Sequence, residues 1–181
     1  LKNPSKRFLS GAIGLSGGIM VAIVTFELIP EALLLGGVVK TSIGIAMGAA
    51  LASYIDIIIS HINRESFNGK RGYIKTAILI GFAIALHNFP EGLAIGSGFV
   101  AQRKLGIGLA IVIALHNIPE GLAMVAPMRA GGYSNSKAFL MTLLAGAPMG
   151  FGALAGALIG EYIYGLIGVC LAFAGGTMLY I

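Results

Sequence analysis

Apolar residues run along this chain in blocks about as long as a bilayer is thick, separated by short polar breaks. Six blocks are predicted to be helical spans: residues 8–35, 41–60, 73–99, 105–128, 138–159 and 162–181. Each approaches or exceeds the ~20 residues that carry a helix through a hydrocarbon core. Lys40 marks the first internal break, and 61–72 is the most polar stretch, holding Asn63, Arg64, Glu65, Asn68, Gly69, Lys70, Arg71 and Gly72. Gln102-Arg103-Lys104 and the Gly/Ser/Asn-rich 129–137 are further turns. The expected fold class is all-α: a polytopic transmembrane helix bundle forming a single transmembrane domain over 1–181.

Composition agrees with the pattern. Only 10% of the 181 residues are charged and 57% are hydrophobic, with a mean hydropathy of +0.92, against roughly a quarter charged in soluble domains. The net charge of +5 does not indicate nucleic acid, because the basic residues are scattered over the breaks. Lys2, Lys6, Arg7, Arg64, Lys70, Arg71, Lys75, Arg129 and Lys137 fall on one side of the bundle, and Lys40, Arg103 and Lys104 on the other. The positive-inside bias puts residue 1 and the 61–72 loop in the cytoplasm. The single Cys170 excludes an internal disulfide. A prokaryotic cytoplasmic (inner) membrane is the expected location.

Into this apolar chain one phrase is written twice: Ala-Leu-His87-Asn88-Phe-Pro90-Glu91-Gly92-Leu-Ala and Ala-Leu-His116-Asn117-Ile-Pro119-Glu120-Gly121-Leu-Ala. Helical spacing puts His87 with Glu91, and His116 with Glu120, on one face. Each proline lacks an N–H and crowds the carbonyl four residues back, at Leu86 and Leu115. Both histidines lie roughly 20 Å from the outer turn between the two helices at ~1.5 Å per residue, so antiparallel packing would bring them to one depth. Ionisable groups inside a membrane point to function. Imidazole, carboxylate and amide oxygen together suit Zn²⁺, Fe²⁺, Mn²⁺, Cd²⁺ or Co²⁺. Asn88 and Asn117 would either ligate through Oδ1 or support the ligands.

Secondary candidates are spread along the chain. Glu27, Pro30 and Glu31 would line the outer mouth of a pathway or simply reach water at a span end. Asp56 reads as a solvated or pathway-edge residue rather than a ligand, His61 as an ordinary surface histidine or a recipient of a departing ion, and Met20 as packing or a soft ligand. Gly44-xxx-Gly48 and Gly152-xxx-Gly156-xxx-Gly160 read as helix contacts. Ser16-Gly-Gly-Ile-Met20 echoes Ala174-Gly-Gly-Thr-Met178 in spans of opposite direction, which suggests an inverted repeat.

The doubled His-Asn-Phe/Ile-Pro-Glu-Gly motif resembles the ZIP family of divalent metal transporters, in particular its GufA-like branch. The likeness extends to Glu27-Leu-Ile-Pro30-Glu31-Ala and to the closing Ala-Gly-Gly-Thr-Met-Leu-Tyr. It implies eight helices in the whole protein, of which this chain would hold about the second to the seventh. It also implies a binuclear metal centre with His87, Glu91, His116 and Glu120 as main ligands, Asn88 and Asn117 at the second position, and Met20 near by. The implied mechanism is alternating access, the motif helices moving as a block. Ala147-Pro148 stands where many relatives carry Glu-Pro.

The expected function is transport of divalent transition metal ions, zinc first, into the cytoplasm, with the ion as substrate, no organic cofactor and no enzymatic activity. The expected partners are the metal ions and the lipid bilayer, with a homodimer as the candidate assembly. The rival reading is an intramembrane zinc-dependent hydrolase, which needs an open coordination position on the metal. A structural metal-stabilised scaffold is the third.

Overall fold

The computed structural model describes residues 6–62 and 70–180, with the side chain of His61 outside that description. Every element among them is helical: α1 (Lys6–Ile23), a π-helical turn (Val24–Leu28), α2 (Ile29–Ile62), α3 (Lys70–Ala101), α4 (Arg103–Ala130), α5 (Asn135–Tyr162), a 3₁₀ turn (Tyr164–Leu166) and α6 (Ile167–Tyr180). Four stretches are long and apolar enough to cross a membrane, the first running over Gly17–Ile58, and Tyr164–Tyr180 is a shorter apolar helix. Large apolar side chains such as Phe26, Leu34, Phe139 and Phe151 stand exposed on the outside, the distribution expected where lipid replaces water.

The first of these stretches is not straight. Gly37 sits at φ 70°, ψ 173° inside α2, a conformation open essentially to glycine. Its neighbours show that the chain turns back there. Val24 and Leu28 lie against Gly175, and Ala32 against Gly168; after the break Gly44 meets Ala172 and Gly48 meets Thr177. Residues before Gly37 therefore run antiparallel to α6 and those after it parallel. The reversal falls at Gly37, within the 36–40 break between the first two expected spans; Lys40, which marked that break, belongs to the following helix, its Nζ donating to Gly165 O at 3.4 Å.

Pro30 accounts for the π turn. Without an N–H and with a ring that displaces the Phe26 carbonyl, it widens the preceding turn, so that the Ile29 N–H reaches back five residues to Val24 O. Elsewhere the prolines are carried inside continuous helix: Pro90 in α3, Pro119 and Pro127 in α4, Pro148 in α5. The α3–α4 break falls on the extended Gln102. Gly132, at φ 95°, lets the Tyr133 N–H close on Met128 O at 3.0 Å, and Ser134 Oγ accepts from the Lys137 N–H to start α5.

Two helix pairs approach backbone to backbone. Between α3 and α5, a Cβ added at Gly92 would collide with the Met149 carbonyl, one at Gly152 with the Phe89 carbonyl and one at Gly156 with the Leu93 carbonyl. Between α2 and α6, Gly48 faces the Phe173 carbonyl and Gly176 the Ile45 carbonyl in the same way. Small residues permit the close packing that drives association where lipid offers no hydrophobic gain. The seam between the pairs is different in kind. There Met20, Ile23, Val24 and Leu28 of the first stretch and Leu171 and Met178 of α6 share one apolar cluster with Leu105, Leu109 and Ile113 of α4.

Candidate metal centre

Helical spacing puts each His/Glu pair on one face, and the α3–α4 hairpin turns the two faces together. Glu91 Oε1 lies 3.0 Å from His116 Nε2 and 3.1 Å from His87 Nε2. Glu120 Oε1 lies 3.4 Å from His116 Nε2 and 3.9 Å from His87 Nε2. The imidazole rings meet edge to face, centroids 6.2 Å apart. Glu91 is wholly buried, and both histidines nearly so.

These separations can be compared with what an ion needs. Bonds of ~2.0–2.2 Å to nitrogen and oxygen in a tetrahedron hold neighbouring ligand atoms roughly 3.3–3.6 Å apart. The four separations, 3.0 to 3.9 Å, bracket that range. Ligand atoms of His87, His116 and Glu120 all lie within 4.8 Å of one another. Small side-chain rotations would turn the cluster into a coordination sphere.

The remaining lone pairs point the same way. Among the described residues, His87 Nδ1, Asn88 Oδ1, Glu91 Oε2, Asn117 Oδ1 and Glu120 Oε2 are buried without a hydrogen-bond partner. Buried polar groups are nearly always satisfied, so five such atoms around one hairpin mark a place built to bind something. The amide nitrogens are held by α5: Asn88 Nδ2 donates to Ala145 O at 2.9 Å, and Asn117 Nδ2 to Met149 Sδ at 3.8 Å.

A cavity of about 440 Å³ opens beside the cluster. Its lining includes Leu86, His87, Pro90 and Glu120 together with Asp56, Thr177 and Tyr180. Tyr180 Oη lies 3.5 Å from Asp56 Oδ2. Asp56 thus shares a cavity with the cluster.

The other candidates are not drawn in. Met20 is buried in the apolar seam. Glu27 is exposed on the π turn and Glu31 half-buried at the start of α2, neither within ion-pair range of the cluster. The side chain of His61 lies outside the described residues. Ala145, Met149 and Tyr180 were not singled out from the sequence; nothing in their local pattern sets them apart from packing residues.

Comparison with known proteins gives a consistent result. The family model described as the ZIP zinc transporter matches residues 60–181. The chain is 35% identical to the zinc transporter ZupT of Corynebacterium aurimucosum over 199 residues, covering 99% of this chain and 75% of that protein. Against the zinc transporter GufA of Myxococcus xanthus it is 38% identical over 147 residues, covering 78% of this chain and 57% of the relative. A ZupT of Escherichia coli (strain HS) is 33% identical, covering 98% and 73%. The long apolar helices, the paired His/Glu motifs converging on one buried cluster, and these matches together establish that the chain is an integral membrane protein and belongs to the ZIP zinc transporter family.

Proposed function

We propose that this protein moves divalent transition metal ions, zinc first, across the prokaryotic inner membrane into the cytoplasm through the His87/Glu91/His116/Glu120 cluster. The observation that carries the reading is Glu91 Oε1 within 3.1 Å of both imidazole Nε2 atoms, with Glu120 Oε1 beside them. Four neutralising or neutral ligands would replace the hydration shell of a dication, and Asn88 and Asn117 add amide oxygens for a second position. The relatives named as zinc transporters support zinc as the substrate.

The single transmembrane domain then has six spans, the first stretch counting twice because of the reversal at Gly37. The antiparallel course of 24–36 and α6 suits an inverted repeat, with Met20 and Met178 in one cluster. The 61–72 region faces the cytoplasm on the positive-inside argument, so the cavity toward Asp56 is the exit. The glycine-locked α3–α5 pair, with α4, is the block that moves, and the apolar seam is the surface it moves along. A seam made mainly of Leu, Ile, Val and Met side chains offers little hydrogen-bond register to break. The hydrolase reading is not favoured: the ligand set is duplicated rather than asymmetric, and the relatives are transporters by name.

The test is zinc uptake into dye-loaded liposomes containing the full-length protein, beside Glu91→Ala/Glu120→Ala. Saturable uptake that the double variant loses is expected. Unchanged flux in that variant would refute the assignment of the path.

A further inference from the structure

Helix α5 carries no ionisable residue at the level of the cluster, yet it holds both motif asparagines. Ala145 and Met149 are one turn apart and so lie on one face. From that face the Ala145 carbonyl takes the Asn88 amide at 2.9 Å and the Met149 thioether takes the Asn117 amide at 3.8 Å. A carboxamide has its donor and acceptor on opposite sides. Fixing each Nδ2 on α5 therefore turns each Oδ1 away from it, and both Oδ1 atoms are buried and unpartnered.

We propose that Met149 is a positioning residue for Asn117: its sulfur holds Nδ2 so that Oδ1 is presented as an oxygen ligand. This rests on the metal-site reading above. The two asparagines are held unequally. A carbonyl is a full acceptor, whereas a thioether sulfur is a weak one, so Asn88 is anchored and Asn117 is the adjustable member. Backbone contact fixes where the sulfur starts from, because Gly92 lets the Met149 backbone lie directly on α3.

The experiment compares Met149→Leu, Met149→Gln, Asn117→Ala and Asn117→Ala/Met149→Leu in the full-length protein, using Zn²⁺. Leucine keeps the bulk and removes the acceptor; glutamine supplies a carbonyl in its place. For Met149→Leu the expected result is a several-fold rise in KM for zinc uptake with Vmax within about twofold. Met149→Gln restores KM, and Met149→Leu adds nothing on the Asn117→Ala background. Equilibrium zinc binding to the purified protein is measured in parallel and follows the same order. An unchanged KM and affinity in Met149→Leu, or an effect that persists on Asn117→Ala, overturns the proposal. A wild-type protein that binds zinc in this order of variants but moves none refutes transport and leaves the positioning role standing.

Discussion

Gly150 and Gly152 sit two residues apart on α5 and make the sharpest test of how the motif helix is held. A Cβ at Gly150 meets nothing within 4 Å, whereas one at Gly152 collides with the Phe89 carbonyl and comes within 3.0 Å of the Leu93 nitrogen. In both positions alanine gains about 0.8–1.0 kcal/mol of helix propensity over glycine. At Gly152 that gain is opposed by overpacking of about 1–3 kcal/mol. The upper part of that range applies, because backbone cannot swing aside as a side chain can. Gly150→Ala should thus be neutral or slightly stabilising, and Gly152→Ala should fall below it by about 2–3 kcal/mol, roughly 30- to 150-fold in the folding equilibrium. Equilibrium unfolding in mixed micelles, followed by helical circular dichroism, reads the difference. Phe89 lies between Asn88 and Pro90, so Gly152→Ala should also weaken zinc binding while Gly150→Ala leaves it alone. Equal stability of the two variants would refute the backbone-contact account of the α3–α5 pair.

Two further outcomes follow from particular residues. Asp56→Asn removes the carboxylate from the cavity shared with His87 and Glu120, so zinc uptake should slow by about three- to tenfold as the local field on a departing cation weakens. Equilibrium affinity should stay within about twofold, and a large affinity loss would make Asp56 a ligand instead. Gly37→Ala forces a side chain into φ 70°, ψ 173°, at a cost on the order of 1–3 kcal/mol. Gly36→Ala, where the nearest atoms lie at 3.4 Å or beyond, should cost less, and a reversal of that order in the same unfolding assay would contradict the turn at Gly37.

Much of the site was legible because of where its residues stand. His87, Glu91, His116 and Glu120 are conspicuous in apolar blocks, and their spacing alone requires two shared faces. The glycine contacts of Gly44, Gly48, Gly152 and Gly156 were readable for a similar reason, being small residues one turn apart. The first hairpin was legible as the 36–40 break from the charge of Lys40, while the residue that turns the chain, Gly37, is set by backbone freedom that carries no charge signal. Glu27-Leu-Ile-Pro30-Glu31 has the same proline and glutamate spacing as the doubled motif, yet its carboxylates do not reach the cluster. Local pattern sets the face of a helix, and only packing decides what that face meets. The roles of Ala145 and Met149 escaped notice because one acts through a backbone carbonyl and the other through a thioether.

The polar atoms of the cluster also constrain how the protein can work. Each buried unpartnered donor or acceptor costs roughly 1–3 kcal/mol, and five of them gather around the α3–α4 hairpin. Such a cluster persists only if its surroundings cannot relax to hide it, and the backbone contacts of α3 with α5 provide that rigidity. On the proposed reading a dication would satisfy the carboxylates and amide oxygens together, and ligands already fixed and desolvated would bind it more tightly than mobile, hydrated ones. On that reading Asn117, held only by a thioether, is where affinity would be most easily adjusted without touching the His/Glu cluster. Differences in metal preference between this chain and its relatives should therefore map to the α5 face at 145–149 before they map to the doubled motif.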